Sequence, residues 1–324
     1  MLVLRSMLYI PGNNMRMIVK ACTLAADAVI LDLEDAVPLG DKPTARVVVR
    51  DSIEAIKKRG TSVFVRVNAL PTGLTGDDLE SVVPGCPDGI MLAKTESSDD
   101  VHQVSRMIGE IEKRVGLGQG LVKLVALIES AKGIVNAREI ALADQRMVAM
   151  AFGAGDYCRD LGRNVSFLTP QQTELLYARS HLVNCCAAAG IQPIDTPFFG
   201  LLTDTAGFTQ EAALASQLGF KGKSCIHPSQ LGTLNTTFAP TPGEIDYARR
   251  LAKAFEEAQS KGLGAISFEG KMVDGMNYQQ SRALTAYAAS ISEKEKQRLN
   301  TPYVSLSEFL PAVSRGADSS ISAR

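Results

Sequence analysis

The chain has 324 residues, 45% of them hydrophobic, and a formal net charge of −1 at pH 7. This size and composition allow one barrel-sized domain or two smaller ones around a large core. Acidic and basic residues are interspersed, which excludes a basic face for nucleic acid. No stretch resembles a signal peptide or reaches the ~18 apolar residues of a membrane span, so we expect no membrane partner. The six cysteines have no C-x-x-C spacing, which favours a reducing, cytoplasmic location.

Short apolar runs alternate with helical patterns along most of the chain. The clearest helical patterns cover residues 42–59, 99–115, 170–189 and 205–218, and a further one follows at 131–142. Eight strands alternating with helices are typical of a (β/α)8 barrel, although a doubly wound open sheet has the same local pattern. The predicted strands cover residues 2–10, 28–33, 62–67, 89–93, 122–128, 147–152, 191–195 and 222–226.

The positions of the polar residues favour the barrel. Seven of the eight predicted strands end in ionisable residues, and a closed barrel brings all these ends to one mouth, which an open sheet cannot do. We therefore predict an α/β fold, a (β/α)8 TIM barrel over residues 1–236. The residues at the strand ends are Asp32, Glu34, Asp35, Arg66, Lys94, Glu129, Asp156, Asp195 and His227.

A smaller segment follows the predicted barrel. Thr241-Pro-Gly-Glu244 is a strong helix start, and the helix is predicted to run to about residue 261. Residues 265–274 indicate a hairpin, and 278–290 a second helix. We predict a C-terminal cap over residues 237–300, placed on its own barrel or on a neighbour's, and a polar tail over 301–324.

Glu129 and Asp156 each end a short apolar run, and one predicted helix separates the two runs. The strand–helix–strand pattern places both carboxylates at the same end of neighbouring parallel strands. Two such carboxylates repel each other unless a cation lies between them, and oxygen ligands favour a divalent metal ion. The alternative is that each carboxylate caps the helix that follows it.

Arg66 lies within an apolar strand, where a guanidinium needs an anionic partner. That partner is either the acidic cluster at 32–35 or the carboxylate of a substrate. Lys94 is expected to pair with the same cluster, in which Asp32, Glu34 and Asp35 hold the two cations and orient ligands. Gly153 and Gly155 lack the third glycine of a dinucleotide loop and favour close backbone approach to a ligand. His227 is either a base or a hydrogen-bonded structural group.

Taken together, these residues resemble the aldolase/citrate-lyase superfamily, which contains citrate lyase beta subunits, malyl-CoA lyases and citramalyl-CoA lyases. The matching stretches occur in one order from residue 5 to about 290. They are Arg5-Ser-Met-Leu-Tyr-Ile-Pro-Gly12 with Asn13, Asp32-Leu-Glu-Asp35-Ala-Val, Lys42 with Ala45-Arg46, Arg66-Val-Asn68, Leu127-Ile-Glu-Ser130-Ala-Lys-Gly133, Phe152-Gly-Ala-Gly-Asp156, Lys223-Ser-Cys-Ile-His-Pro228 and Val273-Asp274-Gly.

The resemblance implies a site for Mg2+, or Mn2+ in its place, bound by Glu129 and Asp156. It implies that Arg66 binds the carboxylate of the keto-acid part, with Gly155 and Asp156 next to the substrate. It also implies that Asp274, from a neighbouring subunit, acts as general acid/base, and therefore a homotrimer or a dimer of trimers. Coenzyme A (CoA) is expected along the first strand, with the contacts Arg5, Pro11, Gly12 and Asn14.

The implied reaction is reversible cleavage of a 3-hydroxy-3-carboxyacyl-CoA to acetyl-CoA and a 2-keto acid, with Asp274 protonating the acetyl carbon. Glyoxylate as the keto acid corresponds to malyl-CoA, and pyruvate to citramalyl-CoA. The C-terminal segment that carries Asp274 favours a stand-alone CoA enzyme over a citrate lyase beta subunit acting on a carrier-protein thioester. A malyl-CoA thioesterase and a non-catalytic acyl-CoA-binding barrel also fit the same residues.

Overall fold

The computed structural model describes residues 1–169 and 171–302. The chain forms two compact units, one over Leu4–Thr237 and one that joins Met1–Val3 to Phe238–Asn300. The predicted helix start at Pro170 and the predicted tail from residue 303 onward lie outside the described residues.

The first unit is built on a closed barrel of eight parallel strands, in which each strand pairs with the next and β8 pairs with β1. The prediction of a TIM barrel is confirmed, and every predicted strand is present. The largest difference is at β1, which begins four residues later than predicted because Arg5 and the residues before it precede the ladder. The strands are β1 (Ser6–Pro11), β2 (Ala28–Asp32), β3 (Ser62–Val67), β4 (Gly89–Leu92), β5 (Lys123–Ile128), β6 (Met147–Phe152), β7 (Gln192–Asp195) and β8 (Gly222–Cys225).

Helices connect the strands. The helical pattern at 131–142 is interrupted at Asn136, so it forms two short helices rather than one. The helices of this unit are α1 (Met15–Ala21), α2 (Lys42–Lys57), α3 (Thr75–Val82), α4 (Ser98–Val115), α5 (Ala131–Val135), α6 (Ala137–Leu142), α7 (Ala154–Asp160), α8 (Thr173–Ala189), α9 (Thr205–Leu218) and α10 (Leu231–Thr237), with 3-10 turns at Leu39–Asp41, Leu70–Thr72, Val83–Gly85, Val165–Phe167 and Pro228–Gln230. Over the described ranges, no helix has both the length and the apolar character that crossing a membrane requires.

The second unit contains α11 (Pro242–Gln259), the antiparallel strands β9 (Ala265–Phe268) and β10 (Lys271–Asp274), and α12 (Gly275–Asn300). Thr241 and Glu244 form the predicted capping box at the start of α11. Glu269 and Gly270 both have positive φ, which matches the twist of a two-residue hairpin turn. Leu251, Phe255 and Val273 form the unit's apolar core, and α12 is longer than predicted.

Candidate active site

The carboxyl ends of the barrel strands enclose a cavity of about 550 Å³. Because every strand is parallel, the residues that follow the strands share this one end of the barrel. The residues that line this cavity include Tyr9, Asp32, Arg66, Glu129, Asp156 and Phe199.

Arg66 is held by acidic residues from the neighbouring strand. Its Nε and Nη2 atoms each donate a hydrogen bond of 2.7 Å to one carboxylate oxygen of Asp32. Its Nη1 atom lies 2.9 Å from Oε2 of Glu34. Burial alone would lower the pKa of Arg66, but the hydrogen bonds to Asp32 outweigh it and hold the pKa above its usual value. Arg66 therefore pairs with the acidic cluster and also faces the cavity, so both predicted roles remain compatible with its position.

Lys94 follows β4 and contacts several carboxylates. Its ammonium group forms an ion pair with Glu34, and lies 3.8 Å from Asp35 and 3.6 Å from Asp156. Its backbone N–H donates a 2.8 Å hydrogen bond to Oε1 of Glu129. Lys94 has φ of +50°, a left-handed conformation that costs a non-glycine residue conformational energy. The predicted pairing of Lys94 with the acidic cluster is present.

Glu129 and Asp156 follow the neighbouring strands β5 and β6, as predicted. Glu129 is 7% exposed, and burial, reinforced by the nearby charge of Glu34, raises its pKa to about 7. Oδ2 of Asp156 is buried and has cations within ion-pair distance, Arg159 at 3.2 Å and Lys94 at 3.6 Å, but no hydrogen bond among the described residues. A buried carboxylate oxygen without a hydrogen bond is a suitable ligand for a metal ion.

The loop after β6, which leads to Asp156, packs closely against Glu129. Gly153 lies so near Glu129 that a Cβ atom at Gly153 would be 2.6 Å from Cβ and 2.8 Å from Oε2 of Glu129. Thr196, which follows β7, accepts a 3.1 Å hydrogen bond from the backbone N–H of Ala154. That bond fixes the first turn of α7, in which Asp156 lies.

The charges around the cavity do not balance. Five carboxylates contribute five formal negative charges in and beside it, whereas three cations contribute three positive ones. The carboxylates are Asp32, Glu34, Asp35, Glu129 and Asp156, and the cations are Arg66, Lys94 and Arg159. Burial raises the pKa of Glu34 as well as that of Glu129, which shows that the buried anions are not fully compensated. One divalent cation would remove the difference.

Glu129 and Asp156 suit Mg2+ better than a metal ion that takes all its ligands from the protein. Among residues 1–169 and 171–302, no three or more His, Cys, Asp or Glu side chains are grouped as a complete metal site. Mg2+ usually takes one or two carboxylates and completes its shell with water and substrate oxygens. Glu129 and Asp156 meet that requirement.

The predicted CoA contacts are only partly at this end of the barrel. The prediction of Arg5 as a CoA contact at the cavity is wrong, because Arg5 precedes β1 and therefore lies at the amino-terminal end of the barrel, opposite the cavity. It is 2% exposed, and its Nε and Nη2 donate to Asp27 at 2.7 and 3.0 Å. Pro11 lines the cavity, Gly12 is buried against the backbone of Asp32, and Asn14 caps α1 by accepting the N–H of Met17.

Two further residues at strand ends do not face the cavity. Asp195 is fully buried in ion pairs with Arg179 of α8 and Lys223 of β8, at 2.8 and 2.7 Å. His227 is exposed, and its Nδ1 atom accepts the backbone N–H of Ser229, which is compatible with the structural role, one of the two predicted for it. The reason for the wrong placement of Asp195 is that a residue at a strand end can point to the helical layer as well as to the mouth.

Sequence reasoning missed several residues of the cavity, and Tyr9, Phe199 and Thr196 are the ones with a clear effect on its geometry. Tyr9 on β1 lies under Arg66, whose guanidinium carbon is 5.0 Å from the ring centroid, and burial raises the pKa of its phenol. Phe199 is 44% exposed and packs beside Gly155, and Thr196 supports the loop after β6. Tyr9 lies within the first of the matching stretches and could have been found, but nothing in the sequence distinguishes Phe199 or Thr196.

Asp274 belongs to the second unit, where it ends β10. Its Oδ1 atom accepts backbone N–H groups of Met276 and Asn277 at 2.9 and 3.3 Å and so caps the start of α12. This geometry does not test its predicted catalytic role.

The barrel and its ring of carboxylates can be compared with known proteins. Residues 5–228 match the family model described as HpcH/HpaI aldolase/citrate lyase. The chain belongs to this family. The predicted resemblance is thus confirmed, and so is the prediction of an enzyme of the carbon–carbon lyase type.

Three similar proteins illustrate the range of the family. The chain is 43% identical to citrate lyase subunit beta of Escherichia coli over 284 residues, covering 88% of this chain and 93% of that protein. It is 31% identical to the human mitochondrial citramalyl-CoA lyase, covering 90% and 87%. The CitE protein of Mycobacterium tuberculosis, solved in complex with magnesium, acetoacetate and coenzyme A, is 31% identical with a TM-score of 0.68, covering 88% and 97%.

The similarity to the Escherichia coli subunit shows that one argument from the sequence, the one based on the C-terminal segment, was wrong. The C-terminal segment was expected to distinguish a stand-alone CoA enzyme from a citrate lyase beta subunit. The 284 residues matched to the Escherichia coli subunit exceed the length of the Leu4–Thr237 unit, so the match extends into the second unit. Possession of this segment therefore does not separate the two classes.

Proposed function

We propose that the protein is a Mg2+-dependent carbon–carbon lyase that cleaves a 3-hydroxy-3-carboxyacyl-CoA of the malyl-CoA or citramalyl-CoA type to acetyl-CoA and a 2-keto acid, glyoxylate or pyruvate. The observation that carries the proposal is the cavity at the carboxyl ends of the strands, which is lined by Arg66 and by four carboxylates that include Glu129 and Asp156. The magnesium and CoA found with the Mycobacterium tuberculosis relative, and the activity named for the human relative, support it.

Glu129 and Asp156 would hold the metal ion. When bound there, Mg2+ supplies positive charge next to the substrate oxygens that gain charge as the carbon–carbon bond breaks. Arg66 would bind the substrate carboxylate through the Nη1–Nη2 edge of its guanidinium. Asp32 is bonded to the other edge, and Oε2 of Glu34 lies 2.9 Å from Nη1 without accepting a hydrogen bond. Asp32 keeps the guanidinium plane fixed, so the substrate meets a pre-oriented donor and loses little of its binding energy in ordering the side chain.

Asp274 would complete the reaction as general acid. As the carbon–carbon bond breaks, its electron pair moves to the acetyl carbon, and Asp274 donates a proton to that carbon. The substrate hydroxyl releases its proton to water as it becomes the keto oxygen, and Asp274 regains a proton from water before the next turnover. In this proposal Asp274 comes from a neighbouring copy, so the active form is a homotrimer or a dimer of trimers. A cytoplasmic location, which the six free cysteines favour, is part of the same proposal.

The activity is tested with purified protein, Mg2+ and, separately, malyl-CoA and citramalyl-CoA, while keto acid and free thiol are followed. Keto acid without thiol is the expected result, and the better substrate identifies the side chain that the pocket accepts. Glu129→Gln and Asp156→Asn should abolish activity, whereas Asp35→Asn, at a 66% exposed carboxylate of the same cluster, should retain most of it. Thiol release from malyl-CoA would instead indicate a thioesterase.

The role of Asp274 is tested by mixing two inactive variants. Asp274→Asn keeps the oxygen that caps α12, so it should fold normally, bind metal and lose almost all turnover. If Asp274 acts on a neighbouring copy, mixed oligomers of Asp274→Asn and Glu129→Gln subunits contain some intact sites and regain activity. Full activity of Asp274→Asn alone would remove Asp274 from the mechanism, and inactive mixtures would place its action within one subunit.

A second candidate is cleavage of a citryl thioester on an acyl carrier, as in a citrate lyase beta subunit. The higher identity to the Escherichia coli subunit, 43% against 31% for the human CoA lyase, favours it. The substrates differ in the group attached next to the hydroxyl, a carboxymethyl in citryl and a methyl in citramalyl. Comparing kcat/KM for citryl-CoA, citryl carrier protein and citramalyl-CoA decides between the two functions.

A further inference from the structure

Lys94 lies between Asp156, which is a proposed metal ligand, and Glu34, which is not. Its ammonium group forms an ion pair with Glu34 and lies 3.6 Å from Oδ2 of Asp156, while its backbone N–H bonds to Glu129. One residue thus contacts Glu34, Glu129 and Asp156.

The contact with Asp156 is the weak one of this set. Oδ2 of Asp156 is buried and receives no hydrogen bond from Lys94, although the two charges are within ion-pair distance. Glu34, in contrast, is hydrogen-bonded to the same ammonium group. Lys94 can therefore give up Asp156 without losing its main partner.

The other cation of the cavity has no such freedom. Arg66 is 12% exposed and is fixed by two hydrogen bonds to Asp32 and a contact with Glu34. Lys94 is 35% exposed and carries its charge on a flexible four-carbon chain. Of Arg66 and Lys94, Lys94 is therefore the one that can respond to a change of charge at Asp156. Arg159 lies 3.2 Å from the same oxygen, but its side chain is 72% exposed, so water and salt screen its charge.

We propose that the Lys94 ammonium group is an internal counter-cation that competes with a divalent metal ion for Asp156 and so limits how tightly the metal binds. The inference rests on the proposed metal site at Glu129 and Asp156. Without metal, Lys94 partly neutralises Asp156 and stabilises the crowded carboxylates. With metal, it moves away from Asp156 and remains paired with Glu34, because two cations at one carboxylate repel each other.

The test is direct measurement of metal affinity by isothermal titration calorimetry with Mg2+, and with Mn2+ as a second probe, in the absence of substrate. A pH of 8.5 keeps Glu129 ionised, since its pKa is about 7. Lys94→Gln removes the charge and keeps a hydrogen-bond donor for Glu34. It should bind metal roughly ten-fold more tightly than the wild type, because a repelling charge a few ångströms away has been removed.

Two control variants separate this effect from general changes in charge. Lys94→Arg keeps the charge at the same position and should bind metal about as tightly as the wild type. Arg159→Gln removes the cation that lies 3.2 Å from the same Asp156 oxygen, but this side chain is 72% exposed, so water and salt already screen it and the affinity should change by less than about two-fold.

A second readout covers the metal-free protein. In EDTA, Lys94→Gln should melt at a lower temperature than the wild type. On addition of saturating Mg2+, its melting temperature should rise by more than that of the wild type, since tighter binding stabilises the folded state more. If Lys94→Gln does not fold, Lys94→Met replaces it in both measurements.

The outcomes distinguish the two proposals. If the wild type binds metal, Glu129→Gln does not, and Lys94→Gln binds with unchanged or lower affinity, the counter-cation inference is wrong while the metal site stands. If the wild type binds no divalent cation, both are wrong. Tighter binding in Lys94→Gln together with unchanged binding in Arg159→Gln supports the inference.

Discussion

Arg66 and Asp32 are register partners on adjacent strands, and two parallel hydrogen bonds of 2.7 Å join the guanidinium of the one to the carboxylate of the other. The same carboxylate accepts the backbone N–H groups of Glu34 and Ala36 at 2.9 and 3.1 Å. Asp32 thereby links the orientation of Arg66 to the conformation of the loop that carries Glu34. The pair is therefore part of a hydrogen-bonded network that fixes one wall of the cavity, and not an isolated ion pair.

Replacing Arg66 by lysine tests whether orientation matters as well as charge. Lysine keeps a positive charge but cannot form the paired hydrogen bonds to Asp32, so the charge facing the substrate becomes mobile. We expect Arg66→Lys to fold normally and to lose about 100-fold in kcat/KM, comparable to the loss of one transition-state donor. Steady-state kinetics with the best substrate measure this, and activity within a few-fold of the wild type would show that only the charge is needed.

Gly153 provides a test of the packing between the loops that carry Glu129 and Asp156, the two proposed metal ligands. A methyl group at this position would lie 2.6 Å from Cβ of Glu129, so Gly153→Ala must displace either Glu129 or the loop that carries Asp156. We expect metal affinity to fall at least about ten-fold, because the two ligands no longer converge. The matched control is Gly232→Ala, which adds the same methyl in α10 with no atom within 4 Å and should leave affinity unchanged.

Apolar runs predicted the strands, because strands buried on both faces appear in the sequence as short apolar segments. The ionisable residues that follow these runs favoured the barrel over an open sheet, because only a closed barrel brings all the carboxyl ends together. The same rule predicted that Glu129 and Asp156 would approach each other. It could not predict which way a side chain turns at the end of a strand, and Asp195 turns toward Arg179 and Lys223. Arg5 was misplaced for a different reason, since a motif match does not say which end of a strand its residues occupy.

The position of Arg5 therefore predicts a role in stability, whereas the sequence predicted a contact with CoA. Arg5→Met leaves Asp27, which is fully buried, without the guanidinium that binds both of its oxygens. We expect a loss of about 3–5 kcal/mol in the free energy of unfolding, the usual cost of breaking a buried pair. The KM for the CoA substrate of the protein that remains folded should not change. Urea unfolding and kinetics check the two parts, and a raised KM at unchanged stability would restore Arg5 as a CoA contact.

Glu112 links the stability of the barrel to pH at a position away from the cavity. Both of its oxygens bind the guanidinium of Arg146, at 2.9 and 2.6 Å, and the backbone N–H groups of Val122 and Gly120, at 2.9 Å each. Burial alone would raise the pKa of Glu112, but these hydrogen bonds outweigh it and lower the pKa. The unfolded chain then binds a proton more readily than the folded one, so protonation favours unfolding.

The stabilisation from Glu112 is therefore complete above the unfolded pKa of about 4.3 and is lost as pH falls through the lower folded pKa. Glu112→Gln, which leaves Arg146 buried without an anion, should cost about 3 kcal/mol at pH 7. The difference in urea midpoint between wild type and variant should stay constant from pH 7 to about pH 5 and shrink below it. A difference that grows on acidification would mean that Glu112 is protonated in the folded barrel, and that the Arg146 contact is not an ion pair.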